Sequence, residues 1–376
     1  MVEGLDAVSV VGTRPDVRGG SGRAISGVAV AGYYLVSAVV SPLGGRLVGR
    51  LGPGLAMRLA CGGASLGLVG IAVASDAHTI VIALTLLGLP NALVQPAANQ
   101  VLSDTVPVRR QGVAFGLVQS AIPSATLLSG VLLAVFGSQD SWRAAVWSVV
   151  ALTLAAQLLI RLPAKSARMA SDPSAPLPSL PAPVGGAPLM VGLVVGAVLA
   201  SVAATSLPSF VASTGAARGL TPAQVAVVQV VGSLACIGLR VLAAWRGSLL
   251  PGARMLGGVA GMLLVGTAGY ALLATSSAVV FGVGVVVAYA FGWGWNGLFN
   301  LSVSRARAGR VSGATGLTQG GVFLGGVVGP LLFAWVLDTH GLGAAWLVVA
   351  GGAIAASLSI VYAVRRWAGA GEVEVR

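Results

Sequence analysis

The chain has 376 residues, of which 56% are hydrophobic and only 9% charged. Soluble globular proteins carry about 25% charged residues, so a mean hydropathy of +0.93 excludes that class and assigns most of the length to lipid. The net charge of +12 does not mark a nucleic-acid binder, because the arginines lie in short clusters between apolar stretches and not on one aromatic-bearing patch.

In chain order, residues 1–23 hold one short apolar run, Ala7–Gly12. It is too short to cross a bilayer and lacks the basic start and longer apolar core of a secretory leader. Runs of about 20 apolar residues then predict eleven membrane spans: 24–45, 55–75, 79–102, 111–136, 143–162, 188–213, 221–245, 254–275, 277–303, 311–336 and 342–364. Residues 163–187 are crowded with proline and serine, a composition that breaks helices and reads as a linker. The expected organisation is an N-terminal helical bundle over 1–162, the linker, and a C-terminal bundle over 188–376.

Charge sets the orientation. Of the 22 basic residues, only Arg14, Arg18, Arg23, Arg143 and Arg218 lie on one side of the predicted topology. The others, Arg240 and Arg246 among them, cluster around 46–58, 104–110, 161–187, 246–254, 304–310 and the C-terminal tail. The positive-inside rule places that second set, with the linker and the C-terminus, in the cytoplasm of a multi-pass protein of the plasma (inner) membrane.

The chain also repeats itself. Shifted by 200 residues, Arg110–Ile160 falls on Arg310–Ile360 without a gap, with 14 of 51 positions identical, including Gly116-Leu117 and Gln119 on Gly316-Leu317 and Gln319. Two halves in the same orientation are the parallel repeat of a two-bundle transporter. The same offset leaves five spans in the first half against six in the second and maps the span 188–213 onto positions from twelve before Met1 to Thr13. The first helix of the first half is therefore expected to be mostly missing, with residues 1–23 holding only a stub.

The run Gly45-Arg46-Leu47-Val48-Gly49-Arg50-Leu51-Gly52 resembles the signature that the major facilitator superfamily carries between its second and third helices. The span 311–336, with Gly325-Gly326, Gly329-Pro330 and then Asp338, resembles that family's eleventh helix. The resemblance implies an all-α membrane protein of two pseudo-symmetric bundles, a secondary transporter working by alternating access, with the present spans as helices two to twelve. It also implies a gating role for Gly45, Gly49, Arg50, Gly52 and Arg58. Here Gly49 stands where the family carries an acid, and the trailing basic residues are displaced to Arg58, so the charge pairing of this loop is expected to be weakened.

Polar side chains inside lipid are costly and mark candidate solute contacts. Asn91, Gln95 and Asn99 recur every four residues, with Pro90 and Pro96 beside them to kink the helix. Trp293, Asn296 and Asn300 recur at three and four. Gln119 and Gln319 are repeat-equivalent and are expected to face each other across a pseudo-twofold axis; Tyr33 and Tyr34 lie mid-span. The alternative role for all of these is interhelical hydrogen bonding that holds the bundle together.

No acid lies in the middle of a predicted span, and no buried cation is read in the cavity, so the expected cargo is a neutral or weakly polar small organic solute. The Gly292-x-Gly294-x-x-Gly297 pattern sits inside an apolar span and reads as helix packing, not nucleotide binding. With two histidines, two cysteines and one lysine, neither a metal centre, nor an ATP-binding loop, nor a hydrolytic triad is supported. The sequence therefore predicts a non-enzymatic, cofactor-free monomer whose partners are a solute and the bilayer. The competing expectation is a truncated, non-transporting membrane protein or sensor on the same fold.

Overall fold

A computed structural model describes residues 20–125, 127–128, 142–159, 186–250 and 252–373. Among them every regular element is helical, and nine helices are long and apolar enough to cross a membrane. The N-terminal half contributes α1 (Gly20–Leu51), α2 (Pro53–Val73), α3 (Ala77–Leu86), α4 (Gly88–Thr105), α5 (Val108–Gln119) and α6 (Trp142–Leu159). The C-terminal half contributes α7 (Gly186–Ala217), α8 (Pro222–Gly247), α9 (Gly252–Leu273), α10 (Ala278–Val287), α11 (Asn296–Ala306), α12 (Val311–His340) and α13 (Leu342–Val373). Residues 163–185 of the expected linker and the far part of the predicted span 111–136 lie outside the described residues.

Three boundaries differ from the sequence expectation, each for a local reason. The first span runs on to Leu51, so the Gly45–Gly52 signature is helix up to its last residue. The turn is Gly52 alone, at φ 84° and ψ 150° with Pro53 opening α2, a conformation almost confined to glycine. The predicted span 79–102 is broken at Leu87. Pro90 has no N–H for the carbonyl of Leu86, and its ring crowds that carbonyl, so the break falls one turn before the proline. The predicted span 277–303 is also two helices, joined by a π turn at Ala288–Gly292 and a non-helical step to Asn296.

The packed interior has one part centred on Tyr34, Leu68, Ile71, Leu84 and Val149, and others centred on Leu193, Leu263, Phe299, Tyr270 and Trp346. Large apolar side chains such as Leu66, Leu158 and Val279 point outward, as a lipid-facing surface requires. Trp245 and Trp335 are exposed near span ends, in keeping with an interfacial role. Trp367 instead lies partly buried against the core of the second half.

The halves meet most extensively along two crossings, α1 with α12 and α5 with α8, with α4 against α12 and α5 against α11 beside them. Both main crossings rest on glycine. A Cβ on Gly316 would come within 2.6 Å of the Ser41 carbonyl, and one on Gly116 within 2.7 Å of Val241 Cα. Gly116 and Gly316, like Ser41 and Val241, are 200 residues apart. The two crossings are therefore images of each other under the sequence repeat, and small residues allow the backbones to touch. Farther along, Gly45 lies against the Ser312 carbonyl and Gly112 against that of Ala244. The end carrying Gly52 and the α8–α9 turn is thus tightly closed.

Candidate functional site

The amides sit where the halves meet. Asn99, on α4, donates from Nδ2 to Asn300 Oδ1 on α11 at 2.8 Å and lies 3.4 Å from Thr315 Oγ1 on α12. Gln319, also on α12, donates to the same Asn300 oxygen at 3.2 Å, while Asn300 Nδ2 reaches back to the Asn296 carbonyl at 2.9 Å. All of these side chains are buried. Asn99 Oδ1 and Asn296 Oδ1 are buried without a hydrogen-bond partner. Buried polar atoms are nearly always paired, so these two oxygens leave acceptor capacity in the cluster that no protein donor among the described residues uses. Gln100 adds a second bridge, its Oε1 accepting from the Ser312 backbone N–H at 3.0 Å.

The predicted stripe on α4 divides along its length. Asn99 crosses to the other half, but Gln95 accepts from Gln119 on α5 at 2.8 Å. Asn91 donates to Ser37 on α1 at 3.1 Å, and Ser37 donates to the Tyr33 and Gly88 carbonyls at 2.8 and 3.2 Å. Gln119 and Gln319 do not face each other: each amide turns to a helix of its own half. Tyr33 and Tyr34 are both buried, edge to face at 5.2 Å. Tyr34 reaches α12, with its ring 6.4 Å from that of Phe323 and pressed against Gly326. Trp293, Asn296 and Asn300 do not form a regular helical stripe, because Trp293 sits in the break before α11.

Among the signature residues, Gly45 carries the α1–α12 contact, and a Cβ on Gly49 would lie 3.4 Å from Ser312 Oγ. Arg50 is exposed and Arg58 partly buried. Gly45 and Gly49 are thus set directly against the start of α12 by close packing. The Gly292, Gly294 and Gly297 pattern packs helices as expected, with Gly292 against Tyr270 and Gly297 against the Arg240 carbonyl and Gly116.

The reading that no cation is buried is overturned by Arg240. It lies within α8, not in the following turn, and is 0% exposed. Its Nη2 donates to the Trp293 carbonyl at 2.7 Å, its Nη1 donates to the Gln119 carbonyl, and its guanidinium carbon is 5.5 Å from the centre of the Trp293 ring. Pro123 explains the second contact. The Gln119 carbonyl would normally accept from the N–H four residues on, and proline has none. Arg240 occupies the vacancy and ties α5 to α8. The signal was present in the sequence: an arginine inside the predicted bounds 221–245 is by default a functional candidate. Its position near the span's end, six residues before Arg246, makes it read as one of the cytoplasmic loop charges.

An apolar groove of about 850 Å³ lies elsewhere, between α1, α2 and the α3–α4 break, lined by Leu43, Leu59, Leu66 and Leu89 among others. It holds none of the bridging amides and opens toward outward-facing leucines. Among the described residues no group of histidine, cysteine or acidic side chains is arranged to hold a metal ion.

The sequence profile of the Major Facilitator Superfamily matches residues 18–330. No curated protein sequence matches the chain significantly. Among solved structures, the chain is similar to the human organic anion transporter MFSD10 (TETRAN), with TM-score 0.72 and 17% identity, over 95% of this chain and 88% of that one. It is similar to the fucose:proton symporter FucP of E. coli, with TM-score 0.68 and 14% identity over 91% and 90% of the two chains. It is also similar to the proton:xylose symporter XylE, with TM-score 0.66 and 18% identity over 95% and 89%.

Proposed function

Because the chain belongs to the Major Facilitator Superfamily, a family of membrane transporters and not of enzymes, we propose that it carries a small organic solute by rocking two bundles about a polar seam between them. The halves would be residues 1–162 and 188–376, joined by the Pro-rich linker. The observation that carries this reading is the buried Asn99–Asn300 hydrogen bond joining the halves, with Gln319 and Thr315 beside it and unsatisfied oxygens on Asn99 and Asn296. A polar cluster at a repeat interface is where such transporters bind their cargo. Asn91, Gln95, Gln119, Tyr33, Tyr34 and Trp293 extend it on both sides.

The tight end is the one that charge asymmetry turns toward the cytoplasm, so in this state the seam would open to the opposite face of the inner membrane. The solutes named for the similar structures range from organic anions to fucose and xylose, and likeness at that level of identity supports the fold alone. Exchange between states is the point to test. Spin labels at Asp104→Cys and Arg310→Cys, both exposed at the closed end, in a Cys61→Ala and Cys236→Ala background, report the gap between the halves. We expect two distance populations in bilayer discs, a short one matching this structure and a longer one. A single distance would favour a non-transporting protein on the same fold.

A further inference from the structure

We infer that Arg240 is the recognition group for a monovalent organic anion, an inference that rests on the transport reading and names its cargo. The guanidinium carries five N–H donors. Here two carbonyls receive hydrogen bonds from it, one aromatic face and the neutral Cys236 thiol lie beside it, and Nε makes no well-formed hydrogen bond. Among the described residues no carboxylate pairs with it. The described acids whose side chains are resolved by contacts are engaged elsewhere: Asp76 with Thr79, and Asp104 with Gln100. Burying a cation against neutral groups alone costs several kcal/mol. An ionisable group kept at that cost inside a membrane is by default a functional site, and an anion would complete this one.

The stoichiometry of charge selects the ligand. Arg240 is the one fully buried cation among the described residues. Arg143 is exposed and Arg218 partly buried, both at helix ends, where they donate to the Ala72, Ala74 and Ala274 carbonyls. A single guanidinium neutralises a single negative charge and matches a carboxylate with two parallel hydrogen bonds. A dianion such as a phosphate monoester would leave one charge uncompensated in a low-dielectric site. The Trp293 ring beside the guanidinium meets that of Tyr289 edge to face, with centres 5.4 Å apart. These rings suit the hydrocarbon body of an organic acid.

The same contact couples binding to movement. Arg240 bonds Gln119 of α5 and Trp293 before α11, so it spans the two halves. A carboxylate that takes the guanidinium in bidentate fashion displaces at least one of these carbonyls. Cargo binding would then loosen the α5–α8 crossing, while the empty site relocks it.

The test uses the full chain in bilayer discs and matched probes: benzoate, phenylacetate and hexanoate, their neutral amides, and phenyl phosphate. Thermal unfolding and tryptophan fluorescence report binding. We expect at least one carboxylate to raise the melting temperature saturably, its amide to do nothing at the same concentration, and phenyl phosphate to act more weakly. Arg240→Gln should weaken the carboxylate response at least about tenfold, and Arg240→Lys should restore part of it. Equal responses to acid and amide, a stronger response to phenyl phosphate, or no response to any carboxylate overturns the inference. So does a folded Arg240→Gln protein that still responds. If that variant does not fold, the acid–amide comparison in the unmodified chain decides alone. The spin-label distances judge the transport reading separately, since they need no ligand.

Discussion

At the scale of single residues, the chain spends its exceptions sparingly. Gly52 is one of few positions at positive φ, and at φ 84° and ψ 150° a side chain is strained by about 1–3 kcal/mol. Gly52→Ala should lower the stability of the purified protein by that amount in a denaturation series. Gly257 provides the control: it lies inside α9 with open space where a Cβ would go. Gly257→Ala should leave stability unchanged or raise it by about 1 kcal/mol. If both substitutions behave alike, the turn is not where the constraint lies. Gly52 and Gly257 look equivalent in a chain with 55 glycines; the backbone angle separates them.

At the scale of elements, the interruptions place the chemistry. Pro90 breaks a membrane helix one turn upstream and so sets the angle at which α4 delivers Asn91, Gln95 and Asn99. The π turn before α11 puts the Trp293 carbonyl within reach of Arg240. Pro123 leaves the Gln119 carbonyl without its own helical donor. Pro123→Ala would supply that donor and compete with Arg240 for the carbonyl, weakening the clamp by roughly the net worth of one hydrogen bond, about 0.5–1.5 kcal/mol. The measurable outcome is a rise in the longer spin-label distance. An unchanged distribution would mean that the Arg240 contact does not help hold that end shut.

At the scale of the whole molecule, the repeat becomes an approximate twofold. The α1–α12 and α5–α8 crossings use equivalent glycines, Gly316 and Gly116, against equivalent backbone, at Ser41 and Val241. The asymmetry lies in their locks: Arg240 fastens α5 to α8, while Gly49 leaves the α1–α12 crossing without a charge. Gly49 faces Ser312 at the start of α12; the Ser312 N–H is taken by Gln100, but the helix dipole there still favours an anion. Gly49→Asp should therefore stabilise the closed end by about 0.3–1 kcal/mol, a shift of about two- to fivefold toward the short spin-label distance. A shift the other way would mean that the carboxylate's desolvation outweighs the dipole.

The apolar runs and glycines by themselves determined that the chain crosses a membrane repeatedly in two similar halves, because the cost of backbone and charge in lipid leaves helices as the solution for runs of that length. The polar residues worth examining were legible for the same reason, and Asn99, Asn300 and Gln319 do meet. Which partner each one takes was not legible, since a period of 3.6 fixes a face and not the neighbour opposite it. Gln119 and Gln319 match in the repeat yet turn to separate helices. The role of Arg240 was likewise decided by tertiary structure. Its charge is the same in a loop or in a core, and what differs is the water removed when α5 and α8 close over it.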